Sequence, residues 1–233
     1  MGSNAHHLLA QLAASTAAQT PVVVLDLDST LIDTGPRHKA ILDAFVHEQA
    51  PHLADVADGI VADDIGWAVT SHLARAGVGE AELEAYEAFW RPRFFDGAWC
   101  VHDQATAGAV NYVQRLLELG AIVYYLTARP APSMGPQTVE SLVRLGFPVL
   151  RGRCPLHMKP SAALPDHRFK RAAIREPACL GEVVATFDNE PGHCNTFRQA
   201  YPRARHFLVG SVHRPDAPEP HPAIETTRDF RSA

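Results

Sequence analysis

The stretch from Val22 to Asp33, Val-Val-Val-Leu-Asp-Leu-Asp-Ser-Thr-Leu-Ile-Asp, constrains the fold more than any other part of the 233-residue chain. Its first four residues are apolar and three are β-branched, which predicts a strand buried on both faces of a parallel sheet. Asp26 and Asp28 follow directly, at the strand end where open α/β sheets place their ligand sites. Two carboxylates this close repel each other and resist desolvation, so they indicate a bound cation. Magnesium is favoured, because it takes oxygen ligands and leaves room for a substrate phosphate.

Further along the chain, short apolar runs alternate with segments of helical periodicity. Strands are predicted at 22–25, 121–126, 147–150, 183–187 and 206–209. Helices are predicted at 36–48, 62–76, 79–91, 104–119, 133–145, 167–176 and 191–200. Strands and helices that alternate across short loops predict parallel βαβ units with right-handed crossovers. The expected fold class is therefore α/β, with a doubly wound, Rossmann-like parallel sheet of about five strands.

Four of these helices lie between the first and second strands, and the first three of them, within residues 36–95, predict a small all-helical insertion. We expect residues 1–20 to form an N-terminal extension, either a short helix on the core or a frayed end. Residues 21–35 and 96–210 form the predicted core domain, and residues 36–95 form the helical insertion. Residues 211–233 are rich in proline and charge, and we expect them to trail as a tail.

Polar residues stand at or near the ends of several predicted strands, where a parallel sheet gathers them into one crevice. They are Asp26, Asp28, Thr127 and Asp188, and Lys170 lies on the helix that leads to the strand of Asp188. Phosphoryl transfer can use such a set: one carboxylate attacks phosphorus, forming an aspartyl-phosphate, and a second acid serves the leaving oxygen and then water. A metal ion, the lysine and the hydroxyl would hold the phosphate charge.

The lysine of this set has a competitor, and each acid has an ordinary structural explanation. Lys159 lies in the proline-rich segment 153–166, whereas Lys170 follows Phe169 on an apolar helix face that would anchor it. Lys170 is the favoured candidate, although either lysine could simply be exposed. The paired acids alone could also form a solvated turn after a strand.

The order of these residues resembles the four motifs of the haloacid dehalogenase superfamily, and the resemblance covers most of residues 20–210. The first motif is Asp26-x-Asp28-x-Thr30-Leu31. The resemblance implies that Asp26 is the nucleophile, Asp28 the general acid and base, and Thr127 a ligand of the phosphoryl group. It also implies that Lys170 neutralises the nucleophile and the phosphate. The magnesium ligands would be Asp26, the main-chain carbonyl of Asp28, and Asp188.

The family's fourth motif often carries two acids, whereas here Asn189 and Glu190 follow Asp188. Either of these two residues could orient a water ligand of the metal. By the same resemblance, residues 36–95 would be a helical cap that closes over the site and selects the substrate. Arg37 and His38 after the first motif could contact that substrate.

Ala128 and Arg129 directly follow Thr127, and we expect them to contact the substrate as well. The function implied is a magnesium-dependent phosphatase acting on a small phosphorylated metabolite. Two alternatives stay open: a phosphotransferase or phosphomutase, and a weakly active module that binds a phosphorylated ligand, for which Asn189 is the only hint.

Composition excludes several other classes. A formal net charge of −5 argues against a general nucleic-acid-binding protein, although it is compatible with a local basic patch. No apolar run approaches the roughly 18 residues of a membrane span, and the N-terminus lacks the basic start of a signal peptide. The four cysteines lack framework spacing, so we expect reduced thiols in a cytoplasmic protein. Cys154 and His157 could join His193 and Cys194 in a zinc site, but such short pairs arise often by chance.

Overall fold

The computed structural model describes residues 4–16, 19–150, 152–210 and 212–231. Its strands are β1 (Pro21–Leu25), β2 (Ile32–Asp33), β3 (Gln104–Ala105), β4 (Ile122–Pro130), β5 (Leu156–Lys159), β6 (Glu182–Asp188), β7 (Arg205–Val209) and β8 (Glu225–Thr227). Its α-helices are α1 (Asn4–Ala14), α2 (Gly35–Glu48), α3 (Ala54–Asp58), α4 (Thr70–Arg75), α5 (Glu80–Phe94), α6 (Ala109–Glu118), α7 (Ala131–Leu145), α8 (Asp166–Ala173) and α9 (Pro191–Ala200). Short 3₁₀ helices span Pro51–Leu53, Ala62–Asp64, Gly97–His102 and Pro177–Cys179.

Six strands form one parallel sheet in the order β5-β4-β1-β6-β7-β8, and β2 pairs with β3 in a separate antiparallel ribbon. Numbered along the chain, the six strands run 3-2-1-4-5-6, which is the order of a doubly wound sheet that binds its ligand where the winding reverses. That reversal lies between β1 and β6. The predicted α/β class with a Rossmann-like parallel sheet is confirmed, with six strands in place of five.

The apolar run of β1 occupies the centre of the sheet because it is buried from both sides. Val23 and Leu25 pack in one cluster with α6, while Val22 and Val24 pack in another with α8 and α9. All four side chains are at most 1% exposed. Helices on both faces therefore explain why the strand is continuously apolar instead of alternating.

Residues 36–95 surround an apolar cluster of their own. Ile41 and Phe45 on α2 meet Tyr86 and Phe89 on α5, and the ring of Phe45 lies edge-on at 5.4 Å to each of those two rings. This cluster is distinct from those of the sheet. The segment predicted as one helix at 62–76 is a 3₁₀ turn, a loop and the short helix α4, although Ile65 is buried as its spacing predicted.

Two further elements differ from the sequence prediction. Residues 147–150 form no strand: Phe147 and Val149 are buried in the core, but Leu150 has φ 51°, which is not extended backbone. The strand beside β4 is instead β5, within the segment predicted as a proline-rich loop. The helix predicted at 104–119 begins only at Ala109, after Gly108 with φ 79°, because residues 104–105 pair with β2.

The described parts of both terminal segments lie on the core. Helix α1 buries Ala5 and Leu8 there, and residues 1–3, 17 and 18 of the predicted extension lie outside the described residues. The predicted tail forms β8, which extends the sheet from β7, and it buries Phe230 to 1% exposure. The Phe230 main-chain N–H donates to the carbonyl of Ala107 at 3.0 Å. The proline and charge content of residues 211–233 gave no indication of a three-residue strand. Residues 211, 232 and 233 of this predicted tail are not described.

No helix among the described residues is long and apolar enough to cross a membrane. The four cysteines are all free thiols.

Candidate active site

The acids of the first motif and the acid that ends β6 meet at the point where the sheet reverses its winding. Asp26 directly follows β1, Asp188 is the last residue of the adjacent β6, and Thr127 lies on β4 on the other side of β1. The main-chain N–H of Asp26 donates to the carbonyl of Phe187 at 3.0 Å, which continues the strand pairing to the site itself. The crevice is therefore built on three neighbouring strands.

Lys170 joins the two acids. Its Nζ lies 2.8 Å from Asp26 Oδ1 and 2.6 Å from Asp188 Oδ2, and all three residues are buried. Burial alone would lower the pKa of Lys170, but the two carboxylates outweigh it and raise that pKa. The competing Lys159 pairs instead with Asp166 at 2.5 Å. Of the two candidate lysines, only Lys170 contacts both acids.

The two acids share one ammonium and differ in their proton affinity. Burial raises the pKa of Asp26 to about 7, against the lowering effect of Lys170. Burial also acts to raise the pKa of Asp188, but Lys170 and His193 outweigh it and the pKa is lowered. His193 Nδ1 lies 3.2 Å from Asp188 Oδ1, and the main-chain N–H of Glu190 donates to the same oxygen at 2.9 Å. Asp188 is thus held as the anion of the pair.

The donor set at this crevice fits a magnesium ion. No three His, Cys, Asp or Glu side chains of the described residues are grouped closely enough to hold a metal by themselves. Magnesium, however, binds through one or two carboxylates and keeps water and phosphate oxygens for its other positions. When ionised, Asp26 and Asp188 with Lys170 leave one formal negative charge, which would repel a phosphate dianion unless a cation were bound.

Asp28 faces a different environment, between two arginines. Arg129 holds it through Nε at 3.1 and 3.0 Å and through Nη2 at 2.6 Å, and Arg37 Nη2 lies 3.3 Å away. Burial acts to raise the pKa of Asp28, but the guanidinium groups of Arg129 and Arg37 lower it to about 2. The side chain of Asp28 is therefore a carboxylate in this conformation. Its remaining exposure of 29% leaves it open to the crevice.

Asp103, a residue that sequence reasoning missed, completes this group of charges. It is fully buried and accepts hydrogen bonds from Arg37 at 2.5, 2.7 and 2.8 Å and from Arg129 at 2.8 Å. We call Asp28, Arg37, Asp103 and Arg129 the charge cluster. Asp103 lies where the chain returns from the helical segment, and the only signal in the sequence is an acid at that boundary.

The ion pairs of the charge cluster limit what Arg37 and Arg129 can contact. Arg37 has no exposed surface and does not line the crevice, because Asp103, Asp28 and the carbonyl of Phe94 surround its guanidinium group. The substrate contact expected of Arg37 is not supported by this arrangement. Arg129 does line the crevice, but its guanidinium group is already paired with Asp28 and Asp103.

The crevice opens into a cavity of about 400 Å³ between the strand ends and the helical segment. The core side presents charged and hydroxyl groups, namely Asp26, Asp28, Thr127, Arg129 and Lys170. Ala128 lines it as well. The opposite side presents rings from residues 36–95, namely His38, Trp67, Tyr86, Trp90, Phe94 and Phe95. The cavity is thus polar where it meets the sheet and aromatic where it meets the helices.

Thr127, Asn189 and Glu190 also line the cavity, and their partners differ. Thr127 Oγ1 accepts a hydrogen bond from the main-chain N–H of Arg129 at 3.2 Å, which leaves its own proton free to donate. Asn189 Nδ2 donates to the carbonyl of Val212 at 2.6 Å. Glu190 Oε1 accepts from the main-chain N–H of Arg214 at 3.1 Å. Asn189 and Glu190 therefore attach the segment after β7 to the rim of the cavity.

The four residues considered for zinc do not come together as a set. His157 bonds to Tyr124 through Nδ1 at 2.8 Å, whereas His193 contacts Asp188. Cys154 is buried in the core cluster beside β1, and Cys194 lies in a small cluster at β7.

Comparison with known proteins finds a likeness in structure alone. No protein-family model and no curated protein matches the sequence. A haloacid dehalogenase-like family hydrolase, SP0104 of Streptococcus pneumoniae, is 14% identical with a TM-score of 0.51 over 84% of this chain and 87% of that chain. A protein described as a predicted phosphoglycolate phosphatase of Haemophilus somnus is 12% identical with a TM-score of 0.52 over 91% and 95%. Protein Tyrosine Kinase A of Mycobacterium tuberculosis is 14% identical with a TM-score of 0.53 over 90% and 94%.

These structures agree with this chain over most of both lengths, at an identity too low to carry over an activity. What they have in common with it is the fold. The resemblance inferred from the motif order is confirmed at the level of the fold. The chain has the fold of the haloacid dehalogenase-like hydrolases.

Proposed function

We propose that the protein is a magnesium-dependent phosphatase that hydrolyses a small phosphomonoester through an aspartyl-phosphate on Asp26. The observation that carries the proposal is the Lys170 ammonium within 2.8 Å of both Asp26 and Asp188, at the reversal point of the sheet. Structures of similar fold include a hydrolase of the haloacid dehalogenase-like family and a protein described as a predicted phosphoglycolate phosphatase. Their activities are those of other proteins, and they add support to the proposal through the fold only.

In the first step, a carboxylate oxygen of Asp26 attacks phosphorus, and the bond from phosphorus to the leaving oxygen breaks in line with it. Lys170 and the free hydroxyl proton of Thr127 hold oxygens of the phosphoryl group. Asp26, Asp188 and the main-chain carbonyl of Asp28 would hold the magnesium ion, whose charge stabilises the phosphate when it is bound. The buried position of Asp26 leaves its carboxylate poorly solvated, which makes it a stronger nucleophile.

In the second step, water attacks the aspartyl-phosphate and regenerates Asp26. Asp28 is the candidate acid and base of both steps, because it lies at the crevice and is partly exposed. With its pKa lowered to about 2 by Arg129 and Arg37, it is a weak base and holds no proton to give, so its contacts with both arginines would have to loosen before either step. The proton balance then closes: Asp28 gives its proton to the leaving oxygen in the first step and takes one from the attacking water in the second.

The test is phosphate release from a panel of phosphorylated metabolites with added magnesium. Asp26→Asn should abolish turnover, and Lys170→Met should lower kcat by about 10²–10³, the usual loss for one charge-stabilising donor. Lys159→Met is the matched control, because Lys159 is buried and paired with one exposed acid, and it should retain most activity. Full activity of Asp26→Asn would refute the assignment of Asp26 as the nucleophile. Equal rates with EDTA and with magnesium would refute the requirement for the metal.

The same panel separates the alternatives. A phosphotransferase or phosphomutase would consume a phosphorylated sugar and return an isomer or a new ester without free phosphate. A binding module would bind a ligand and release nothing.

A further inference from the structure

We infer that the aromatic side of the cavity selects the leaving group: an uncharged, planar ring that carries a hydrogen-bond acceptor for His38 Nε2. The inference rests on the proposed function, since it assigns the part of a phosphomonoester that lies beyond the phosphate. It is carried by His38, by the rings beside it and by the distribution of charge around the cavity.

His38 is held in one tautomer by its neighbour. It is 5% exposed, and the indole N–H of Trp90 donates to His38 Nδ1 at 3.0 Å. An indole nitrogen only donates, so Nδ1 must accept and the ring proton must be on Nε2. The imidazole of His38 is therefore neutral and presents an N–H donor at Nε2.

That donor has no partner among the described residues. No described residue forms a hydrogen bond with His38 Nε2. Among the described residues, Tyr86 Oη is the one side-chain polar atom that is fully buried and has no partner. His38 Nε2 is therefore not fully buried, and His38 lines the cavity. Because His38 is 5% exposed and lines the cavity, water or a ligand in the cavity must supply the acceptor for this donor. An acceptor on the leaving group would satisfy it.

The rings around His38 form a fixed wall. The ring of Phe94 stacks on that of His38 and on that of Trp90, each with a centroid distance of 4.7 Å, and the rings of His38 and Trp90 lie within 4° of parallel. Rings held by one another lose little further freedom when a ligand arrives. A planar ring gains contact area and favourable stacking on such a wall, which a small aliphatic chain does not.

Charge excludes an anionic leaving group. No lysine or arginine of the described part of residues 36–95 lines the cavity, while Glu87, whose carboxylate pairs with Arg91 at 2.9 Å, does. The cations on the core side are Arg129 and Lys170, and each is already paired with two carboxylates. A second negative group on the substrate would find no free cation and would face Glu87.

The test compares esters that differ in one feature each. Benzyl phosphate and its 3- and 4-pyridylmethyl analogues have the same shape but differ by one acceptor nitrogen, glycerol phosphate lacks a ring, and phosphoglycolate adds a carboxylate. Affinity is measured on the magnesium-loaded Asp26→Asn protein by quenching of tryptophan fluorescence, since Trp90 lines the cavity. We expect one pyridylmethyl ester to bind at least about tenfold more tightly than benzyl phosphate. Phosphoglycolate should bind most weakly of all.

His38→Phe keeps a ring and removes the donor. The ratio of the affinity for the preferred pyridylmethyl ester to that for benzyl phosphate should therefore fall at least about tenfold. His47→Phe, a substitution of an exposed histidine on the same helix, should leave the preference intact. Equal weakening of all esters by His38→Phe, or tightest binding of phosphoglycolate, would overturn the inference. Turnover by the wild-type protein is scored separately: ring-selective binding without phosphate release would refute the phosphatase and leave the selectivity standing.

Discussion

Replacing Asp103 with asparagine should destabilise the protein more than any exposed charge substitution. Asp103 has no exposed surface and accepts three hydrogen bonds from Arg37, itself fully buried, and one from Arg129. Asparagine has nearly the same shape, so the change removes a charge and leaves the packing almost intact. Of the carboxylates that pair with the two buried guanidinium groups, only Asp28, which is 29% exposed, then remains.

The expected magnitude follows from the buried position of the partners. Removing one member of a buried ion pair costs about 3–5 kcal/mol, because an uncompensated charge remains inside. At about 2–4 °C per kcal/mol for a chain of this size, the unfolding midpoint should fall by about 6–20 °C. Equilibrium urea unfolding of both proteins measures the free energy, and a thermal scan measures the midpoint.

Asp43→Asn is the matched control, because Asp43 is 50% exposed and pairs with Lys39 one helical turn away. Its loss should stay below about 1 kcal/mol. The double variant Asp103→Asn/Arg37→Met restores charge balance and should recover part of the loss, since an apolar group in place of a buried charge is tolerated. A loss for Asp103→Asn no larger than that of Asp43→Asn would refute the argument.

Two further substitutions test the packing, each against a control. Gly108→Ala should cost more than Gly77→Ala: both have φ near +80°, but a Cβ at 108 would meet the backbone of Phe230 at 2.6 Å, whereas the space at 77 is open. Left-handed strain alone costs about 1–2 kcal/mol and overpacking adds about 1–3, so equal losses would count against the docking of the C-terminal segment. Tyr86→Phe removes a buried hydroxyl without a described partner and should raise the free energy of unfolding by about 1 kcal/mol. The hydroxyl of Tyr112 donates to the main chain at 2.9 Å, so Tyr112→Phe should lower the free energy of unfolding by a similar amount. Changes of the same sign in the two variants would refute this argument.

The parts of the fold predicted from sequence are those with a local pattern. The apolar run of β1 and the acids after it define the centre of the sheet, and helix α9 spans residues 191–200 as predicted. The strand predicted at 147–150 was wrong because Phe147 and Val149 are buried without pairing in the sheet, and an apolar run does not separate these cases. Strand β8 has three residues, too few to show a period.

The parts that could not be predicted depend on contacts between distant residues. Asp103 and Arg37 are 66 positions apart, and nothing near either of them in the sequence indicates the other. The bond from Trp90 to His38 spans 52 positions and fixes a tautomer that no sequence pattern could specify. The tertiary fold brings each pair together, and both pairs change the chemistry expected of the site. Asp28 becomes a held carboxylate and His38 becomes a donor.

The charge cluster connects Asp28 to both ends of the helical segment. Arg37 stands on the first turn of α2, where residues 36–95 begin, and Asp103 follows the 3₁₀ helix through which the chain returns. Arg129 reaches the same acids from β4. Movement of the helical segment relative to the sheet would therefore change the contacts of Asp28. Separating the buried charges of the cluster would leave them unpaired, which is costly. If the proposed substrate seats against the aromatic wall and moves the helical segment, it would act on Asp28 through these same four side chains, which would link the proposed recognition of the leaving group to the residue proposed to transfer the protons.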